Sequence, residues 1–367
     1  MNILMLGKLN KTTRTNFTIY GMVIAVYIIM QVLISGGGVS SSLKGQLVPI
    51  CAYIVMAVSL NLTVGILGEL SLGHAGFMSI GAFAGVIACM AMEGLIPLAP
   101  LRLGFSMIIA AFCAGLAGFL IGIPILRVRG DYLAIVTLAF GEIIKNIINC
   151  LYVGMDNSGL KFGFLSNIAS LNLGEGAKVL VDGPMGIAGI KRISTFSSGF
   201  VLVMITLIIV LNLINSKPGR AIMALRDNRI AAESLGIPVT KYKLMAFVTS
   251  SALAGAAGAL FAMNFPTIVA SKFNFSTSIL VLVFVVLGGL GNIGGSIIAA
   301  AVLTVLPEML RGFSEYRMLA YAVLLVLVMI ARNNSAFKYF FVKIFKRLAK
   351  YISCLLKTKG RRGRNER

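Results

Sequence analysis

Charge is scarce in this 367-residue sequence, histidine almost absent, and the usual catalytic signatures are missing. Only 12% of residues are charged and 12 are acidic, against about 25% charged in ordinary soluble domains. The single histidine, His74, excludes a multi-histidine metal centre. Five cysteines (Cys51, Cys89, Cys113, Cys150, Cys354) show no CxxC spacing, and four lie in or beside apolar runs. They read as small core hydrophobes rather than a disulfide framework or a metal site. There is no GxxxxGK[ST] phosphate loop, so the chain is not expected to hydrolyse ATP. GxSxG and HExxH patterns are also missing. No catalytic residue, metal ligand or bound cofactor is expected.

What is present is apolar: 58% hydrophobic residues and a mean hydropathy of +0.94. Backbone groups in lipid must be satisfied internally, so the choice lies between helices and a closed barrel. The apolar runs are long and continuous rather than alternating over about ten residues, which selects helices. They fall near 17–34, 47–67, 70–92, 103–126, 130–150, 199–214, 244–263, 278–306 and 318–331. The first run lacks a small-residue cleavage site and is read as a span, not a removable signal.

A net charge of +21 could point to nucleic acid, but its placement does not. Of 33 Lys and Arg, 12 lie in residues 332–367, 6 in 216–243, and Lys8, Lys11 and Arg14 precede the first apolar run. Under the positive-inside bias these segments face the cytoplasm, with Arg127 and Arg129 at another inside turn. Segment 151–198 carries four basic and three acidic residues and is assigned outside. Both termini are then cytoplasmic. This parity requires the long run 278–306 to fold back, and its centre, GGLGNIGG, holds five glycines in eight positions. Two short helices meeting at a glycine break are expected, giving about ten crossings or half-crossings. The GxGxxG-like spacing there follows no strand, so a dinucleotide site is not expected. Residues 332–367 place Lys343, Lys346, Arg347, Lys350 and Lys357 on one helical arc opposite an apolar one, the pattern of a basic amphipathic helix on a membrane face. The resulting plan is a cytoplasmic N-terminus at 1–16, a transmembrane domain at 17–331, and this tail.

Segment 216–243 is the polar island in the chain. Asp227 or Asn228 can N-cap a short helix at 228–235, RIAAESL has strong helix propensity, Gly236 suits the C′ position, and Pro238 prevents continuation. Ala231 and Ala232 would give it a small, smooth surface. Such a helix is a docking element or an ordinary solvated connector. Among ionisable residues in apolar surroundings, Glu69 and His74 sit in GELSLGHAG, either as a bend hydrogen-bonded into the bundle or as part of a gate. Glu142 and Lys145 are neighbours on one helix face, as an internal ion pair or a substrate contact. With Gly291 and Asn292 of the glycine break, these four are the candidate pathway or gating positions. Small residues in 70–92, 103–122 and 248–259 permit close helix approach.

Five stretches carry a resemblance: GELSLGHAGFMSIGAF (68–83), RVRGDYLAIVTLAFGEII (127–144), DGPMGI (182–187), ALRDNRIAAESLGIPVTKYKLMAFVTSSALAGAAGAL beginning at Ala224, and VLGGLGNIGGSIIAA (286–300). AAESLG resembles the coupling loop of ABC importer permeases, and the set, spanning roughly residues 45–330, is similar to the LivM-type permeases of branched-chain amino acid ABC transporters. Glu69 stands where many such proteins have Gln, and ARNNSAFKYF replaces their Arg-Pro-Gln-Gly type ending. The resemblance implies an all-α polytopic membrane protein of BtuC-like type II importer architecture in a bacterial cell membrane. It also implies a homologous second permease, two cytoplasmic ATPases that use ATP and magnesium, and an extracytoplasmic solute-binding protein. It places Ala231, Ala232, Glu233 and Gly236 in the coupling helix, with Arg226, Asp227 and Asn228 at its start. Branched-chain amino acids are the implied cargo; urea, short amides, nucleosides or sugars are alternatives within the class. An ion-coupled secondary transporter would need coupling-ion residues near the midplane and would leave the island unexplained; a passive channel or scaffold is disfavoured by the lack of a filter-like repeat.

Overall fold

The computed structural model of the protein describes residues 11–36, 40–126, 128, 130–156, 159–164, 178–309, and 322, 323 and 326. The chain divides into a compact unit Met1–Val305 and a second unit Leu306–Arg367. All contacts below lie within the first. The basic tail at 332–367 and most of the run at 318–331 fall outside the described residues.

Eleven α-helices are described: α1 (Lys11–Ser35), α2 (Ser41–Asn61), α3 (His74–Ala91), α4 (Ala99–Ile125), α5 (Asp131–Asn149), α6 (Phe196–Asn215), α7 (Lys217–Asp227), α8 (Arg229–Ser234), α9 (Val239–Ala262), α10 (Phe275–Gly288) and α11 (Ile293–Met309). Eight helical stretches among the described residues are long and apolar enough to cross a membrane, and Ile293–Glu308 is a shorter apolar ninth. The protein is a multi-pass, helical membrane protein. The break expected within 278–306 is there: α10 ends at Gly288, and α11 starts at Ile293.

The core is organised around α9, which packs on α2, α3 and α4. In α2, 83% of the spanning window is buried, against 6% in α1, so α2 is internal and α1 peripheral. α1 is held to α6 by Tyr27, which stacks on Phe196 and Phe200. Without a hydrophobic drive between helices in lipid, close backbone approach at small residues holds them together. A Cβ added at Gly81 of α3 would lie 2.1 Å from the Gly255 carbonyl oxygen of α9. One added at Gly255 would lie 2.3 Å from Ala114 Cβ of α4.

Segment 151–198, assigned outside on its charge, contains short paired strands among its described residues. β1 (Leu151–Asp156) pairs antiparallel with β2 (Gly159–Phe164) and with β3 (Lys178–Asp182), in the order β2-β1-β3. The DGPMGI stretch follows β3 into a 3₁₀ turn and β4 (Ile187–Ala188), which pairs with β5 (Thr267–Ile268) from the α9–α10 connection. Short strands interrupted by glycine and charge lack the alternation that makes strands legible. The pairing ties this segment to the helix connection beneath it.

Candidate functional site

The polar island folds as two helices rather than one. Ser216 caps α7, its side chain accepting from Gly219 N, and Pro218 occupies the first turn. Serine followed by an early proline is a helix-start signal that could have revealed α7 in the sequence. α7 lays Ile222 into a cluster with Leu62, Ile66, Leu67 and Ala246. It ends at Asp227, so Arg226 and Asp227 close α7 and do not open the short helix that follows.

Asn228 is the N-cap of α8. Its extended backbone turns the chain, and its Oδ1 accepts from Ala231 N at 3.0 Å. Asp227, the other capping candidate, instead accepts from Arg226 Nε and Nη2 at 3.1 and 3.0 Å. α8 is the six residues Arg229–Ser234. Gly236 ends it at φ +78°, with Gly236 N donating to Glu233 O and Ile237 N to Ala232 O at 3.0 and 3.1 Å. These two bonds form a Schellman cap, which a left-handed residue at C′ completes.

Ala231 and Ala232 do not share one smooth outer surface. Ala232 is buried among Leu225 and Val239 and acts as the helix's anchor, while Ala231 is exposed. The outward apolar groups are Ile230 and Leu235, each 81% exposed. The sequence reading missed them. Glu233 is exposed, with Arg229 Nε at 3.9 Å one turn away.

Beneath the island, α2 runs into a π-helical stretch, Leu62–Leu67, that ends at Gly68 in the left-handed region. Arg226 Nη1 donates to Gly65 O at 3.1 Å. Glu69 forms an ion pair with Lys243 near the start of α9, and the Lys243 side chain is only 8% exposed. Glu69 Oε2 is buried without a partner. The glycine break lies against the same stretch. Gly291 N donates to Asn61 Oδ1 at 2.9 Å, and Asn61 Nδ2 donates to Ser296 Oγ at 3.0 Å. Asn292 caps α11, its Oδ1 accepting from Gly295 N at 3.1 Å. A cavity of about 430 Å³ is bordered by Arg226, Gly291, Asn292, Asn16 and Asn215.

The candidate gating residues therefore do not form one site. Gly291, Asn292 and Glu69 gather at the π stretch. His74 is buried, with Nε2 2.8 Å from Ser59 Oγ, an internal hydrogen bond between α3 and α2. Glu142 and Lys145 form an ion pair on α5, and Glu142 Oε1 also accepts from Phe275 N, in the first turn of α10, at 3.2 Å. Asn61, Gly65 and Lys243 are members that the sequence reading did not single out. A lone asparagine within an apolar run was the available signal for the first. Among the described residues no group of three or more His, Cys, Asp or Glu could hold a metal ion.

The family of branched-chain amino acid transport system permease components matches residues 42–331, which include the π stretch, the whole island and the glycine break. The chain belongs to that family. The permease is 36% identical over 305 residues to the high-affinity branched-chain amino acid transport system permease protein LivM of Salmonella typhimurium, covering 76% of this chain and 66% of that protein. It is 37% identical over 302 residues to the Escherichia coli protein of the same name, with the same coverages. The chain thus spans about two thirds of the length of these relatives. A probable branched-chain amino acid transport permease protein LivH of Methanocaldococcus jannaschii is 24% identical over 280 residues, 75% of this chain and 82% of its own. No solved structure matches the permease.

Proposed function

We propose that this permease is the membrane subunit of an ATP-driven importer of leucine, isoleucine and valine. The observation that carries the reading is α8: a short, doubly capped helix with two bare apolar side chains, mounted on a bundle whose relatives are branched-chain amino acid permeases. A soluble helix of this kind has no reason to expose Ile230 and Leu235 unless a partner covers them. The partner is a cytoplasmic ATPase subunit, which supplies the ATP and magnesium chemistry that this chain is not built for.

Two such ATPases, a homologous second permease and an extracytoplasmic solute-binding protein complete the assembly in a bacterial inner membrane. The island and both termini face the cytoplasm, as the clustering of basic residues requires. Arg226, Asp227, Asn228, Ala231, Ala232, Glu233 and Gly236 build the coupling element: Ala232 anchors it, Asn228 and Gly236 end it, and Glu233 orients it by charge. ATP binding draws the ATPases together and displaces α8, which opens the bundle to the other side. The solute then passes through a pathway shared with the second permease. Gly291 and Asn292 lie on that moving side, whereas Glu142 and Lys145 border α10 farther along α5. Glu69 and His74 hold the intervening bend.

The test is uptake of labelled leucine, isoleucine and valine into proteoliposomes holding the full complex, with urea as the contrasting solute. Uptake that requires ATP and stops with vanadate is expected. Ile230→Glu combined with Leu235→Glu should remove roughly 2 kcal/mol or more of docking energy, the scale of an interface hot spot. The ATPase should then no longer co-purify. Uptake driven by an ion gradient without ATP would overturn the proposal.

A further inference from the structure

The coupling island touches the bundle through more than its apolar cushion. Two of its six basic residues are Arg226, on the last turn of α7, and Lys243, near the start of α9. Both reach the same short stretch of chain: Arg226 Nη1 meets Gly65 O at 3.1 Å, and Lys243 pairs with Glu69. That stretch is the π-helical end of α2 and the residues just after it. π-helical turns are rare and cluster at functional sites, because each differs from regular α-helix by a register slip. A slip of one residue shifts everything beyond it by about 1.5 Å and 100°.

The same stretch meets the glycine break, which borders the cavity that Arg226 also lines. Asn61, the residue before the π turn, is fully buried and uses both ends of its amide there, on Gly291 N and Ser296 Oγ. A Cβ at Gly65 would lie 1.8 Å from Asn61 Oδ1 and 2.2 Å from Gly291 N, so backbone meets backbone with no side chain between. Displacement of the π stretch toward the glycine break therefore presses on Gly291, and the Asn61–Gly291 hydrogen bond resists separation. Glu69 Oε2, buried and unpartnered, leaves one tether short of full satisfaction in this arrangement.

We infer that Arg226 and Lys243 are positioning residues that tether the coupling island to the π stretch Leu62–Leu67 and to Glu69 just after it, and that this stretch relays island movement through Asn61 to the α10–α11 glycine break. The inference rests on the ATP-driven transport reading and adds the route by which α8 acts on the bundle.

Arg226→Met keeps the aliphatic stem and removes the donors; Arg226→Lys restores a cation. Lys243→Met with Glu69→Gln removes both buried charges together, which avoids the penalty of leaving one unpaired. Each variant is made in the full complex, reconstituted in proteoliposomes, and leucine uptake per ATP hydrolysed is the readout. Couplings between sites commonly span about 5- to 150-fold. We expect a loss of about tenfold for Arg226→Met, partial recovery in Arg226→Lys, and a smaller loss for the paired variant, all with ATPase subunits retained on the permease. Uptake per ATP within about twofold of the parent in both Arg226→Met and the paired variant would overturn the proposal. Loss of assembly in both would place these contacts in folding rather than coupling, and would overturn it too. A parent complex without ATP-dependent uptake would fail the transport reading itself, whereas a coupled parent with equally coupled variants fails only the tethers.

Discussion

Two regions of the bundle share close backbone approach but differ in the directed bonds that join their neighbours. In the α3–α4–α9 layer, helices touch backbone to backbone over small residues, with Gly81 on Gly255 and Gly255 on Ala114 and Ala110. Around the π stretch, the neighbours are joined by a handful of directed bonds: Asn61 to Gly291 and Ser296, Arg226 to Gly65, and Lys243 to Glu69. Close packing depends on the whole shape of the contact and tolerates no alternative register. A few hydrogen bonds can be exchanged one for another at low net cost, because each contributes only about 1 kcal/mol. The first region is a frame, and the second is where the proposed relay would let the frame move.

The comparison is broken most directly in the frame. Gly81→Val must push the Gly255 carbonyl aside, and over-packing of this kind costs about 3 kcal/mol. Thermal unfolding of the detergent-solubilised permease should show a clear drop in midpoint, and uptake should fall only as folded protein falls. Asn61→Leu probes the other region. It keeps the volume but orphans Gly291 N, at a cost of about 2 kcal/mol. Here uptake per folded transporter should fall further than the unfolding midpoint implies; a parallel fall would make the second region as rigid as the first. The smallest effect belongs to Gly236→Ala. A Cβ there meets nothing within 4 Å, so the only penalty is the left-handed backbone, about 1 kcal/mol. Slight fraying of α8 should appear as weaker ATPase co-purification with an unchanged unfolding midpoint.

The two regions were unequally legible. The frame was announced by runs of Gly, Ala and Ser in 70–92, 103–122 and 248–259, and these are the residues that meet in the structure. The glycine break was announced by composition and by the parity of the spans. α8 and its caps were readable because caps are local: Asn228 and Gly236 act within four residues of themselves. What escaped was non-local. Ala232 turned inward because Leu225 and Val239, on either side in the chain, close around it. α7 was hidden by its mixed polarity, and the small sheets in 151–188 by their short, irregular strands.

Composition, the spacing of apolar runs and local capping signals determined by themselves that this is a multi-span helical membrane protein with a capped helix in its polar island. Those properties depend on solvent preference and on neighbours within a turn or two, which a linear sequence records. Only the tertiary structure decided that Arg226 meets the π turn, that Lys243 meets Glu69 just after it, and that Asn61 joins that turn to Gly291. These partners lie 161, 174 and 230 residues apart. Which polar groups meet across such a separation is set by how whole helices pack, and no local preference encodes it.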